Sequence, residues 1–215
     1  MKPYFETKLG KLYNCDCLDF MKDIEEKSVD LVLTDPPYGL GFEYENFEDN
    51  QKNLISLIKQ CMPQILRISK RCVLTCGHTN IWHYPQSKWI IAWVYGTTQQ
   101  RNSWGFTSWQ PVLCYGKDVY LANRKGARMD IIKDSKTPKF KNHPCPKPET
   151  FWRKLLERCS IMESDLVLDP FFGAGTTGLV CEETNRRWIG IEISEKYCEI
   201  AAKRISLEAR QGKMF

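Results

Sequence analysis

Asp165-Leu166-Val167-Leu168-Asp169-Pro170-Phe171-Phe172-Gly173-Ala174-Gly175-Thr176-Thr177-Gly178 is the stretch that decides the fold. Asp165 to Leu168 reads as a buried strand and Ala174 to Glu183 as a helix, with glycines in a G-x-G-x-x-G spacing where they join. Glycines at such a junction allow a tight turn and a close approach of backbone to a ligand. The start of the helix leaves N–H groups free for an anionic group. Glu192 ends the next strand, where a carboxylate can accept both hydroxyls of a ribose. Taken alone, the triple-glycine spacing usually marks a dinucleotide site. Here Asp169 to Phe172 stand where that fingerprint has glycine directly after the strand.

Around this turn, strands and helices alternate. Lys11 to Cys15, Val29 to Thr34, Arg71 to Cys76 and Trp188 to Ile193 read as strands from their apolar, β-branched character and the Gly or Pro that closes several of them. Asp16 to Glu26, Asn53 to Ile68 (with a kink at Pro63), Pro148 to Cys159 and Glu195 to Ala209 carry helical patterns. Trp89 to Tyr95 and Trp109 to Tyr115 have no helix between them, so they are expected to pair antiparallel across a loop from Gly96 to Ser108. Such alternation predicts an α/β fold whose mostly parallel sheet is covered by helices on both faces.

A second turn carries chemistry. Asp35-Pro36-Pro37-Tyr38 follows a buried strand, at the carboxyl edge of the sheet where open α/β folds bind ligands. The exocyclic amine of a nucleobase is a poor nucleophile because its lone pair is delocalised into the ring. A carboxylate (Asp35) and a backbone carbonyl (Pro36) that accept its two N–H bonds would localise that pair toward an electrophile. The prolines stiffen the backbone and remove competing N–H donors. Tyr38 offers a flat face for an extruded base, worth about 1–3 kcal/mol by stacking.

The two turns together resemble those of the amino-methyltransferases that use S-adenosylmethionine to methylate exocyclic amines of DNA bases. Further stretches match the same family. Asn14-Cys15-Asp16-Cys17 resembles its acidic turn beside the cofactor's adenine, and Trp109 to Lys117 its late strand beside the target base. His143-Pro144-Cys145-Pro146-Lys147-Pro148 resembles its segment by the methionine end of the cofactor. The catalytic turn precedes the glycine-rich turn, the permuted order of the family's β group, which would set the last strands beside the first. The resemblance implies a Rossmann-like fold with a seven-stranded sheet, one strand of it antiparallel, and direct transfer to a base flipped from the duplex. It implies a catalytic set of Asp35, Pro36, Pro37 and Tyr38. The implied cofactor set is Asp16, Cys17, Asp35, His143, Lys147, Asp169, Phe171, Gly173, Gly175, Thr176, Thr177 and Glu192. Asp at the head of the catalytic turn is commoner in the adenine-N6 enzymes of the family, and Ser in the cytosine-N4 ones. The expected activity is therefore DNA adenine-N6 methylation. The alternatives are cytosine-N4 methylation, RNA methylation on the same scaffold, and a silent nucleic-acid-binding subunit.

Composition bounds the rest. At roughly 150 residues per domain, 215 residues suit one domain, 1–215, with a modest insertion. The 42% hydrophobic and 27% charged content exclude a disordered or fibrous chain. Residues 117–142 show little periodicity, and the basic excess between Lys117 and His143 equals the whole chain's net charge of +5. That insertion is expected to grip phosphates and recognise the target. The candidate DNA contacts are Arg124, Lys125 and Arg128, with Arg101 and Asn102 candidates for base edges. A homodimer is borrowed from the family. No metal is expected, because Cys72, Cys76 and His78 lack a second ligand pair with matching spacing. Ten cysteines behind a polar start with no secretion signal point to a reducing cytoplasm, in a bacterial or phage-encoded setting by the resemblance. The longest apolar run, Trp89 to Tyr95, is too short to span a bilayer, so no membrane partner is expected.

Overall fold

The computed structural model of the protein describes residues 1–95, 100–102, 104–135 and 147–211, the side chains of 100–102 and 208–211 excepted. The strands are β1 (Phe5–Glu6), β2 (Gly10–Asn14), β3 (Leu31–Thr34), β4 (Glu43–Tyr44), β5 (Phe47–Glu48), β6 (Arg71–Thr75), β7 (Trp89–Val94), β8 (Gln100–Asn102), β9 (Gly105–Thr107), β10 (Trp109–Gly116), β11 (Ile131–Lys133), β12 (Leu166–Asp169) and β13 (Arg187–Glu192). The α-helices are α1 (Cys17–Lys22), α2 (Gln51–Ile68), α3 (Val119–Ala122), α4 (Glu149–Cys159), α5 (Thr176–Glu183) and α6 (Glu195–Gln211), and His78–His83 forms a 3-10 turn. The main sheet runs β1-β2-β13-β12-β3-β6-β10-β7-β11. As the permuted order implies, β13 near the C-terminus pairs with β2 near the N-terminus, Trp188 opposite Gly10 and Glu192 opposite Asn14.

The central strands are apolar throughout because both faces are buried. Leu31, Leu33, Val73, Val112 and Val167 enter the core shared with α4, α5 and α6. Their neighbours Val32, Cys72, Leu74, Leu113 and Leu168 enter the opposite core with α1 and α2. Helix α2 starts on Asn50, whose side chain accepts from the Asn53 N–H at 2.8 Å, and buries Leu54, Ile58, Cys61, Met62, Ile65 and Ile68. It runs through Pro63 as one helix. Phe151 of α4 stacks on Trp93 of β7 with ring centroids 3.8 Å apart, fixing the start of α4 over the sheet.

The sheet departs from the sequence reading at its margins. Among the described residues it holds nine strands rather than seven, and two of them, β1 and β10, run against the rest. The extra edge strands are the two-residue β1 and the three-residue β11, too short for a period to show in sequence. Strand β11 lies inside the insertion expected as a loop, parallel to β7, with Ile132 buried between exposed Ile131 and Lys133. The loop from Gly96 to Ser108 contains the small hairpin β8–β9.

Close packing under the glycine-rich turn sets one steep stability prediction. Gly190 has no room for a side chain, since a Cβ would lie 2.4 Å from Phe172 Cδ2. Phe172 is itself 3% exposed and stacked on Trp188. Gly190→Ala is expected to cost about 3 kcal/mol by overpacking, read as a lower urea midpoint with an unchanged slope. A midpoint equal to the parent's would show that Phe172 can move aside.

Candidate active site

Strands β3 and β12 are neighbours at the point where the winding reverses, β3 leading through α2 to β6 and β12 through α5 to β13. Ligands of open α/β sheets bind at such a switch point, beyond the carboxyl ends of the strands. Both sequence-singled turns leave from those two ends. A cleft of about 240 Å³ opens there, and Asp35, Phe171, Glu192 and Lys147 are all in its wall.

Asp35 is held from several directions. Its Oδ1 accepts the Tyr38 hydroxyl at 2.7 Å and the hydroxyl of Thr75, which closes β6. Its Oδ2 accepts from Lys147 Nζ at 2.5 Å, and the pair is largely buried, at 7% exposure for Lys147 and 20% for Asp35. Gln110 on β10 donates to the Tyr38 hydroxyl and accepts from Tyr95 at 2.9 Å. Asn80 donates to the Tyr38 carbonyl at 2.8 Å. Beyond the turn, Asp49 gathers the N–H groups of Gly39, Leu40 and Phe42 at 2.6, 3.0 and 3.1 Å. Pro36 is buried, while Pro37 lines the cleft.

The glycine-rich turn forms the opposite wall. Glu192 Oε2 accepts from the Gly173 N–H at 2.7 Å and Oε1 from the Ser194 N–H at 2.9 Å, so each oxygen keeps acceptor capacity toward the cleft. Burial raises its carboxyl above the usual carboxylate range, against the pull of these N–H bonds. Asp16, Cys17, Lys147, Asp169, Phe171, Gly173, Thr176 and Thr177 line the same cleft. Asp16 also caps α1, accepting from the Leu18 N–H at 2.7 Å. Gly175 is different. It takes φ +80° at the start of α5, and a Cβ there would meet Ala201 at 2.8 Å. Its place is explained by the turn and by packing on α6, and it is outside the cleft wall.

Asp169 joins the two turns. It accepts from Thr34 Oγ1 at 2.5 Å, Thr177 Oγ1 at 2.5 Å and the Phe171 N–H at 3.0 Å. Burial pushes its carboxyl up to about 7 despite the Thr177 and Thr34 hydroxyls, and the charge of Asp35 adds to the rise. The folded chain thus binds a proton that the unfolded chain releases near pH 4, so this carboxyl's contribution to stability falls as pH rises from about 4 to about 7. Asn imitates the neutral acid. Asp169→Asn is therefore expected to gain stability over the parent at pH 8 and to lose that gain by pH 5, read from urea midpoints. A gain independent of pH would mean that the folded carboxyl ionises normally.

Arg124, Lys125 and Arg128 are exposed and are not brought to Asp35. Arg128 lies 4.5 Å over the Tyr120 ring, and Tyr120 donates to the Glu157 carbonyl near the end of α4 at 3.1 Å. Strand β10 ends there, with Gly116 opposite Arg71, the first residue of β6, whereas Thr75 at the other end of β6 reaches Asp35. His143 and the side chains of Arg101 and Asn102 lie outside the described residues. Thr75, Thr34, Gln110 and Asn80 carry the site yet were not singled out from sequence. The legible hint was a hydroxyl residue ending each of the neighbouring strands β3 and β6.

Residues 77–203 match the family model described as "DNA methylase". Type II methyltransferase M.HpaI of Haemophilus parainfluenzae is 26% identical, the alignment covering 92% of this chain and 74% of that protein. M.BamHI of Bacillus amyloliquefaciens is 28% identical, and this chain, covered in full, spans 61% of its length. The DNA adenine methyltransferase YhdJ of Escherichia coli (strain K12) is 24% identical, over 94% of this chain and 85% of that protein. Among solved structures, the PvuII DNA methyltransferase (cytosine-N4-specific) superposes with a TM-score of 0.72 at 19% identity, covering 98% of this chain and 94% of that one. The M1.HpyAVI–SAM complex superposes at 0.65 and 24% identity, covering 91% of this chain and all of that one.

Proposed function

This chain belongs to the DNA methylase family, and from that premise we propose that it transfers a methyl group from S-adenosylmethionine to the exocyclic N6 of an adenine flipped out of DNA. One observation carries the reading. The carboxylate of Asp35 and that of Glu192, which keeps acceptor capacity for a ribose, stand in the wall of the same cleft.

The residues present fit the cofactor. Glu192 would hold the ribose hydroxyls, Asp16 the adenine amino group, and Phe171 and Ile193 supply apolar surface beside them. The start of α5, with Thr176 in the cleft wall, offers N–H groups for the cofactor's carboxylate. When bound, S-adenosylmethionine supplies an electrophilic methyl group on a sulfonium. Asp35 accepts one N–H of the target amine and the Pro36 carbonyl the other, which turns the nitrogen lone pair toward the methyl group. Afterwards Asp35 carries away the proton that the methylated nitrogen no longer holds. Tyr38, braced by Gln110 and Asn80, stacks on the base. Pre-set acceptors in a water-poor cleft supply most of the rate, so no cysteine nucleophile is needed. The relatives named above are bacterial, and no helix of the described residues is long and apolar enough to cross a membrane.

The cytosine-N4 reading draws support from the PvuII fold match. One experiment separates the two. The protein is expressed in a host lacking DNA methylation, and the host DNA is digested to nucleosides and quantified. N6-methyladenine is expected. N4-methylcytosine would move the substrate to the other base, and no methylated base would overturn the activity.

A further inference from the structure

Lys147 stands 112 positions from Asp35 in sequence, yet its ammonium sits 2.5 Å from Asp35 Oδ2. It also lies 5.0 Å from the centre of the Tyr38 ring. Among the described residues, Oδ1 of Asp35 accepts from Tyr38 and Thr75, so Oδ2 is the oxygen with more room for a further donor, and Lys147 occupies it. A target amine must donate to this same carboxylate. With Lys147 in place it meets a neutralised, weakened acceptor and a like donor.

Lys147 has a second direction open to it, because it lines the cofactor cleft together with Trp152, Thr176 and Thr177. It precedes α4, whose Trp152 donates to Thr177 at 2.8 Å, so the start of that helix is tied to the start of α5. The adenosine of the cofactor belongs beside Glu192 and the sulfonium beside Asp35. Its amino-acid arm is then left to the side of the cleft formed by α5 and Lys147. A Lys side chain is a flexible stem bearing a compact charge, able to change partners within one cavity.

We propose that Lys147 makes the catalytic carboxylate conditional on the cofactor: it pairs with Asp35 until the carboxylate of the cofactor's amino-acid arm draws its ammonium away. The inference rests on Asp35 being the acceptor of the target amine. Its consequence is order, with the cofactor opening the base site. The coupling is reciprocal, so DNA must tighten a carboxylate-bearing ligand by the factor by which that ligand tightens base capture.

The test uses two product-like ligands at saturation. S-adenosylhomocysteine carries the amino-acid carboxylate, and methylthioadenosine is the same nucleoside thioether without it. The DNA is a duplex that keeps adenine at the position mapped as methylated in the host DNA and carries 2-aminopurine as its neighbour, so that the fluorescence released by unstacking reports capture of the extruded adenine. In the parent protein, S-adenosylhomocysteine is expected to strengthen base capture about tenfold over methylthioadenosine, within the usual range of such couplings. Calorimetry should show the reciprocal tightening of S-adenosylhomocysteine by DNA. Lys147→Met should capture the base equally with either ligand, and Lys147→Arg, which keeps a movable cation, should retain part of the difference. Equal capture by the parent with both ligands overturns the proposal, as does an undiminished difference in Lys147→Met. Failure of the underlying reading looks different, because host DNA would then hold no methylated base.

Discussion

Asp35→Asn is expected to lower the rate of methyl transfer by about 10³-fold, the usual range for loss of a positioned proton acceptor in a closed site. The substitution changes few atoms. Asn can still accept from Tyr38 and Thr75, but it turns an N–H group toward the target amine and toward Lys147. Nothing then draws the lone pair of the amine out of its ring. Cofactor affinity should stay within a few-fold of the parent, and a change toward tighter binding would accord with Lys147 being released to the cleft. A stability cost accompanies the rate loss, because an ammonium only 7% exposed loses its counter-ion. The double variant Asp35→Asn with Lys147→Met should therefore recover the melting temperature without recovering activity, which separates a chemical defect from a folding one. Single-turnover methylation of unmodified host DNA is the measurement. A near-parental rate in the single variant would remove Asp35 from the reaction.

Glu192→Ala is expected to weaken S-adenosylmethionine binding on the order of 100-fold, the size for losing two hydrogen bonds to a charged acceptor. Both carboxylate oxygens are already fixed by backbone, one through Gly173 and the other through Ser194, so the acceptors are aimed before any ligand arrives. Glu192→Gln keeps one carbonyl oxygen and should fall between Ala and the parent. Binding to the parent should also weaken on acidification, with a midpoint above the ordinary range for Glu, because burial raises this carboxyl and its protonation removes an acceptor. Isothermal titration across pH reads both effects. Binding to Glu192→Ala at parental strength would place the ribose elsewhere.

Much of the architecture was legible because its signals are local. The run Leu31 to Thr34, closed by Pro36-Pro37, needed only its own residues to read as a buried strand, and the same holds for Arg71 to Thr75 and Leu166 to Asp169. Asn50 and Asp16 cap helices within three positions, again a short-range effect. Strands β1, β8, β9 and β11 escaped because two or three residues cannot display a period, and β11 exists only because β7 offers it an open edge. The glycine triplet read as a single ligand loop divides in the structure. Gly173 serves the cleft through Glu192, while Gly175 and Gly178 leave space for α6 and Phe172.

By itself the sequence determined an α/β fold and two acidic turns, Asp35 to Tyr38 and Asp169 to Gly178, that leave the ends of buried strands, because turn geometry and the acidity of a side chain are properties of a few consecutive residues. Only the tertiary structure decided the distant partners of those acids. Thr34 meets Asp169 across 135 positions and Lys147 meets Asp35 across 112, and neither contact exists until β12 lies beside β3 and α4 is docked over the sheet. It likewise decided that Arg128 lies over the Tyr120 ring, toward the far end of the sheet from Asp35. Charge composition counts such residues, but where they stand depends on the direction in which β10 carries the chain away from the cleft.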